Sequence, residues 1–206
     1  LAQDLKKEVD ELRMLIDELR EENMKLKEEI SHLKSRVENE GVWLNLNYKM
    51  AIFISAGHNS QSISIKSDPG AINEFGIKEG DLTIEFRDLV CKELSKMGVK
   101  FITDLKEESL QSYLNRIQTG DGSVVIEYHF DAGPKTAEGC TALIEDDGDG
   151  NDKNFASDLL LATNAVSGIK SRGVKPESYT RHGKLALMKE KGIICLFEIG
   201  FITNPS

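Results

Sequence analysis

The run Ala51-Ile52-Phe53-Ile54-Ser55-Ala56-Gly57-His58 constrains the fold more than any other stretch. It is short, apolar and rich in β-branched residues, and it lacks helical spacing. It therefore reads as a buried strand of a sheet covered on both faces. The residues that follow provide the covering helices. Leu82, Phe86, Leu89, Val90 and Leu94 recur at helical spacing through residues 79–97, and Gly98 closes the helix. Residues 99–102, 123–129, 140–144 and 193–198 read as strands, and 107–118, 155–171 and 184–189 as helices. This alternation predicts an α/β fold, a mostly parallel open sheet flanked by helices. Between the first strand and the first helix, residues 59–78 are rich in turn formers, including Asp68-Pro69-Gly70 and Gly76. So long a loop in a compact domain is usually functional or mobile.

The first forty residues follow a different rule. Leu5, Leu12, Leu19, Leu26 and Leu33 repeat every seven residues, and Val9, Ile16, Asn23, Ile30 and Val37 form the alternate frame. Leucine at d with β-branched residues at a favours a parallel two-stranded coiled coil, and a lone Asn at a fixes its register. Glu8 faces Arg13, Glu22 faces Lys27 and Glu29 faces Lys34 in the pairing expected of a homodimer. Each such exposed pair contributes only about 0.5 kcal/mol, so they select the partner more than they stabilise it. The helix would be roughly 55 Å long at 1.5 Å per residue. The predicted organisation is a coiled-coil dimerisation helix at 1–40, a linker at 41–50 and a globular domain at 51–206.

Charge and composition exclude several function classes. The formal net charge is −9, no basic stripe is present, and no basic block precedes the heptads, all of which argues against nucleic-acid binding. Cys91, Cys140 and Cys195 lie far apart with no Cys-x-x-Cys pair, so buried free thiols are expected rather than a disulfide framework or a thiolate zinc site. No apolar run is long enough to span a membrane, and no signal peptide is recognisable.

The polar residues at strand ends carry the chemistry. His58 follows the first strand, His129 closes Val124-Val125-Ile126-Glu127-Tyr128, and Glu198 closes Ile193-Ile194-Cys195-Leu196-Phe197. Glu79 opens the first long helix. If the strands are parallel, all four share one rim, where open α/β sheets place their active sites. Two histidines and a carboxylate are a known catalytic zinc set, and a further carboxylate is what a hydrolase needs as general base. On spacing alone, ordinary loop histidines explain these residues equally well.

At these positions the chain resembles the zinc-dependent N-acetylmuramoyl-L-alanine amidases of bacterial autolysins and phage endolysins. The resemblance spans about residues 51–204. In order, it rests on Ser55-Ala56-Gly57-His58, Asp68-Pro69-Gly70-Ala71, Gly76-Ile77-Lys78-Glu79-Gly80-Asp81, Tyr128-His129-Phe130-Asp131-Ala132, Ser171-Arg172-Gly173-Val174-Lys175 and Phe197-Glu198-Ile199-Gly200-Phe201-Ile202-Thr203-Asn204. It implies that His58, Glu79 and His129 bind Zn2+ and that Glu198 is the catalytic acid/base. The implied substrate is peptidoglycan, cut at the amide between N-acetylmuramic acid and L-alanine. The implied place of action is the cell wall, extracellular or periplasmic for a bacterial protein and the host wall for a phage-encoded one. Arg172, His182 and Asn59 are candidate substrate contacts. Two departures sit beside the ligands: Asn59 replaces a second glycine, and Tyr128-His129 with Asp131 replaces Ile-His followed by Asn. Glu74 is a rival to Glu79, which is preferred because the long helix follows it at the family's spacing. Glu85 reads as a solvated helix face and Glu127 as a strand neighbour. The acidic stretch 146–152 lacks EF-hand spacing and reads as a solvated loop. The alternatives are a non-catalytic wall-binding module and a metallopeptidase on the same fold.

Overall fold

The computed structural model describes residues 51–59, 68–105 and 108–204, together with Met24 and Lys25. The heptad seam, the linker at 41–50 and the middle of the 59–78 loop lie outside the described residues.

Among the described residues, six strands form one sheet: β1 (Ile52–Ala56), β2 (Phe101–Thr103), β3 (Val124–Asp131), β4 (Cys140–Ile144), β5 (Ser171–Pro176) and β6 (Ile193–Phe201). Their order is β2-β1-β3-β6-β4-β5. β2, β1, β3 and β6 run parallel, β4 is antiparallel to β6, and β5 is parallel to β4. The mostly parallel sheet is thus present, with one reversal between β6 and β4. Among the described residues, three helices flank it: α1 (Glu79–Lys96), α2 (Leu110–Arg116) and α3 (Gly150–Ser167).

Strand periodicity sorts the core into two layers, because successive side chains point to opposite faces. Ile54, Ile126, Tyr128, Cys195 and Phe197 cluster with Ala156 and Leu160 of α3 and with Phe86, Val90 and Leu94 of α1. Phe53, Val125, Ile194 and Leu196 cluster with Tyr113 and Leu114 of α2 and with Leu187 and Met188 of a 3₁₀ turn. Burial on both faces accounts for the continuous apolar runs of the central strands. Leu89, expected on the buried face of α1, is exposed, and Arg87 is buried instead. Arg87 can be buried because its guanidinium pairs with Asp104 at 2.6 Å and Asp88 at 2.8 Å.

The structure corrects three details of the sequence reading. α3 starts at Gly150, earlier than residue 155, because Asp149 accepts from the backbone N–H groups of Asn151 and Asp152, and Asp152 reciprocates in a capping box. Residues 146–149 of the acidic stretch are a largely exposed turn, as expected, whereas 150–152 begin the helix; Asp152 is buried, accepting from the Ile194 N–H at 2.8 Å. α3 also ends sooner, at Gly168 with φ +74°, and residues 171–176 become the edge strand β5. That strand, Ser-Arg-Gly-Val-Lys-Pro, lacks the apolar alternation that would have revealed it.

Candidate active site

Ser55 of β1, Glu127 and His129 of β3, and Glu198 of β6 occupy the same alternating positions as Phe53, Val125, Ile194 and Leu196. The apolar rows facing α2 therefore turn polar at the carboxyl ends of three parallel strands. Register sets the neighbours: Ser55 lies beside Glu127, His129 beside Glu198, and Glu198 beside Thr141 of β4. His58 follows β1 at this same edge. β3 carries an irregularity between His129 and Asp131, where pairing with β6 shifts; such features commonly re-aim side chains beside active sites.

Glu79 enters as the first residue of α1, where a carboxylate is favoured by the helix dipole. It is 4% exposed, and its two oxygens reach both histidines. Oε1 is 2.9 Å from His129 Nδ1 and accepts from the Phe130 N–H at 3.1 Å. Oε2 is 3.4 Å from His58 Nε2 and accepts from the Ala71 N–H at 2.9 Å. Burial raises the Glu79 pKa, but the hydrogen bonds from His129 and Ala71 and the charges of both histidines outweigh it and hold the carboxyl below its usual range. The histidine rings meet edge to face, with centroids 5.0 Å apart.

The turn at Asp68-Pro69-Gly70 brings a second carboxylate to His58. Asp68 Oδ2 lies 3.0 Å from Nδ1, close enough for charge attraction but not aligned as a hydrogen bond. Two glycines leave room for the site. A Cβ on Gly57 would lie 2.2 Å from His129 Nε2, and one on Gly70 would lie 2.5 Å from Glu79 Oε2 and 2.6 Å from the His58 ring. Gly70 also needs φ +64°, a region that side chains disfavour.

One potential ligand atom each from His58, Glu79 and His129 lies within 4.8 Å of the others, and these three make up the metal-capable group found among the described residues. Glu198 stands beside it with Oε2 buried and unpartnered. Burial pushes the Glu198 carboxyl up to about 8; the His129 charge pulls it down, while Asp131, Glu79 and Glu127 add to the rise. For His129, burial disfavours the charged ring, but Glu127 and Glu79 outweigh it and lift the pKa to about 10. Converging carboxylates, an orphaned buried oxygen and two imidazoles fit a cation at this point.

Of the other candidates, Arg172 opens β5 at the same edge, since β5 runs against β6. Its guanidinium stacks over Phe201, 5.0 Å from the ring centroid. Asn59 bridges to Asp68, and its amide donates to the Glu108 carbonyl at 3.2 Å. His182 follows the end of β5, on the side of the sheet where β6 begins, while Arg172 is at the opposite end of β5. Glu74, the rival ligand, is tied to Lys135 at the surface. Glu85 is exposed as expected. Glu127, read as a strand neighbour, is in fact 2% exposed and bonded to His129. The Glu-x-His spacing, which puts two side chains on one face of a strand, was the available signal.

The family model for N-acetylmuramoyl-L-alanine amidases matches residues 52–206. A comparison with curated proteins gave no significant match. Among solved structures, one assigned as an N-acetylmuramoyl-L-alanine amidase from Neisseria meningitidis is 28% identical, with a TM-score of 0.58 over 76% of this chain and 82% of that one. The amidase AmiC2 of Nostoc punctiforme (18% identical, TM-score 0.61) is similar over 76% of this chain and 82% of its own. An amidase from Clostridium difficile 630 (19%, TM-score 0.60) is similar over 77% and 83%. With a family match across nearly the whole globular part, and with His58, Glu79, His129 and Glu198 gathered on one sheet edge, the chain belongs to the N-acetylmuramoyl-L-alanine amidase family.

Proposed function

We propose that the protein is a zinc-dependent peptidoglycan amidase, cutting the amide between the lactyl group of N-acetylmuramic acid and L-alanine of the stem peptide. The observation that carries this reading is the meeting of His58, Glu79 and His129 beside a buried Glu198 with an unpartnered oxygen. His58, Glu79 and His129 would hold the zinc. Bound there, the ion would polarise the scissile carbonyl and lower the pKa of a water molecule. Glu198, shifted by burial toward neutrality, has the affinity to take a proton from water and return it to the leaving amine. Glu79 is prevented from that role because its oxygens are committed to two histidines and two backbone N–H groups. Arg172, at the same edge, is the candidate contact for a substrate carboxylate or carbonyl.

The heptad segment at 1–40 supports a further part of the proposal, a parallel homodimer with amidase domains at 51–206 following a linker at 41–50. Sedimentation equilibrium returning a monomer would remove it. Action on a wall implies an extracellular or periplasmic place of work for an autolysin, or the host wall for an endolysin. No helix among the described residues is long and apolar enough to cross a membrane.

The test is mass spectrometry of purified peptidoglycan after digestion. Free stem peptides beginning at L-alanine are expected, abolished by chelation and restored by zinc. Glu198→Gln should bind zinc as wild type does and release none. Cleavage within the stem peptide would make the protein a metallopeptidase, and binding without cleavage would make it a wall-binding module.

A further inference from the structure

Glu127 plays no part in the chemistry above, yet it is among the most buried charged groups of the domain, 2% exposed. A buried carboxylate is tolerated only when paired, and both of its oxygens are engaged at the site. Oε1 is 2.9 Å from His129 Nε2, and Oε2 accepts from the Ser55 hydroxyl at 3.3 Å. The pairing is built into the sheet. Glu127 and His129 are two residues apart on one strand face, and Ser55 is the register partner of Glu127 on β1.

The His129 ring is held on several sides. Glu127 meets Nε2, Glu79 meets Nδ1, Gly57 leaves the space the ring fills, and His58 packs against it edge to face. A neutral imidazole has one N–H and one lone pair. Glu127 has no proton donor to offer while ionised, so it can only accept from Nε2–H. Glu79 is likewise an acceptor at Nδ1, so both ring nitrogens face carboxylates; a metal ion at His58, Glu79 and His129 would take the place of the proton on Nδ1, while Glu127 keeps the proton on Nε2.

We infer that Glu127 is a positioning residue that fixes the ring orientation and tautomer of His129, so that Nδ1 is the nitrogen presented to the metal. The inference rests on the metal reading proposed above. Glu127 completes a carboxylate–histidine–metal relay, and Ser55 holds the carboxylate in turn. Such outer partners orient the ligand and raise its basicity, and their loss typically lowers metal affinity by about 10–100-fold.

The test is a zinc competition titration against a chromophoric chelator, using the full chain and its Glu127→Gln and Glu127→Ala variants. Gln keeps an acceptor for Nε2–H, so its zinc affinity should stay within a few-fold of wild type. Ala should weaken binding by about 10–100-fold while the variant remains folded by circular dichroism. Long-range 1H–15N spectra of the zinc-loaded wild type should show His129 protonated at Nε2 and coordinated through Nδ1. That spectrum needs no variant, so it decides the question even if Glu127→Ala fails to fold. Coordination through Nε2, or equal zinc affinity in folded Glu127→Ala, would overturn the assignment while leaving the metal site standing. A wild-type protein that binds no zinc would overturn the metal reading itself.

Discussion

Substituting Gly57 by alanine tests the site through one added methyl group. The new Cβ would sit 2.2 Å from His129 Nε2, 2.3 Å from Cε1 and 2.5 Å from Cδ2, all inside van der Waals contact. Gly57 has little freedom to retreat, because its N–H donates to the Tyr128 carbonyl at 2.8 Å and anchors it to β3. The ring must therefore yield, by roughly 1.3 Å before its closest gap becomes an ordinary contact. A shift of that size stretches two interactions now at 2.9 Å, to Glu79 and to Glu127. Hydrogen bonds to charged groups contribute about 1.5–3 kcal/mol each, and both carboxylates are too buried for water to replace the lost partner. A loss of about 2–5 kcal/mol follows if the bonds are only partly broken. Zinc affinity should fall as well, since Nδ1 moves with the ring. Urea denaturation of the zinc-free protein reads the first effect and chelator competition the second. Gly150→Ala is the control: no atom lies within 4 Å of its added Cβ, and the helix start tolerates alanine, so stability should hold or rise by about 0.4–1 kcal/mol. If Gly57→Ala matches wild type in both stability and zinc affinity, the packing of the His129 ring against this glycine is not what places it.

Two further predictions concern the frame around the site. Arg87→Met should cost about 3–5 kcal/mol by urea denaturation, because it leaves Asp104 buried without its cation; a loss under about 1 kcal/mol would show that water reaches the carboxylate. The Arg116 guanidinium bonds both oxygens of Glu108 and, with burial opposing, holds that carboxyl below its ordinary 4.5. A depressed acid stabilises the fold above its unfolded pKa and loses that contribution as pH falls through the folded value. Arg116→Ala should therefore flatten the fall in stability below about pH 4.5, and an unchanged profile in pH-dependent denaturation would refute the pairing.

Much of this arrangement was legible in the chain before any coordinates. Buried parallel strands leave continuous β-branched runs, so β1, β3 and β6 announced themselves, and the polar residues ending them could be read directly. Glu79 was visible because a long amphipathic helix starts at it. These are local signals of period and punctuation, which depend on near neighbours alone. Tertiary structure decided the rest, because pairing direction and register are properties of two strands at once. Only the reversal between β6 and β4 puts Arg172, at the start of β5, at the working edge, with His182 following the opposite end of that strand. Only the alignment of β1 with β3 sets Ser55 beside Glu127, where its hydroxyl holds the carboxylate that meets His129. Only the approach of β2 to α1 explains why Arg87 is buried on a helix whose Leu89 faces water.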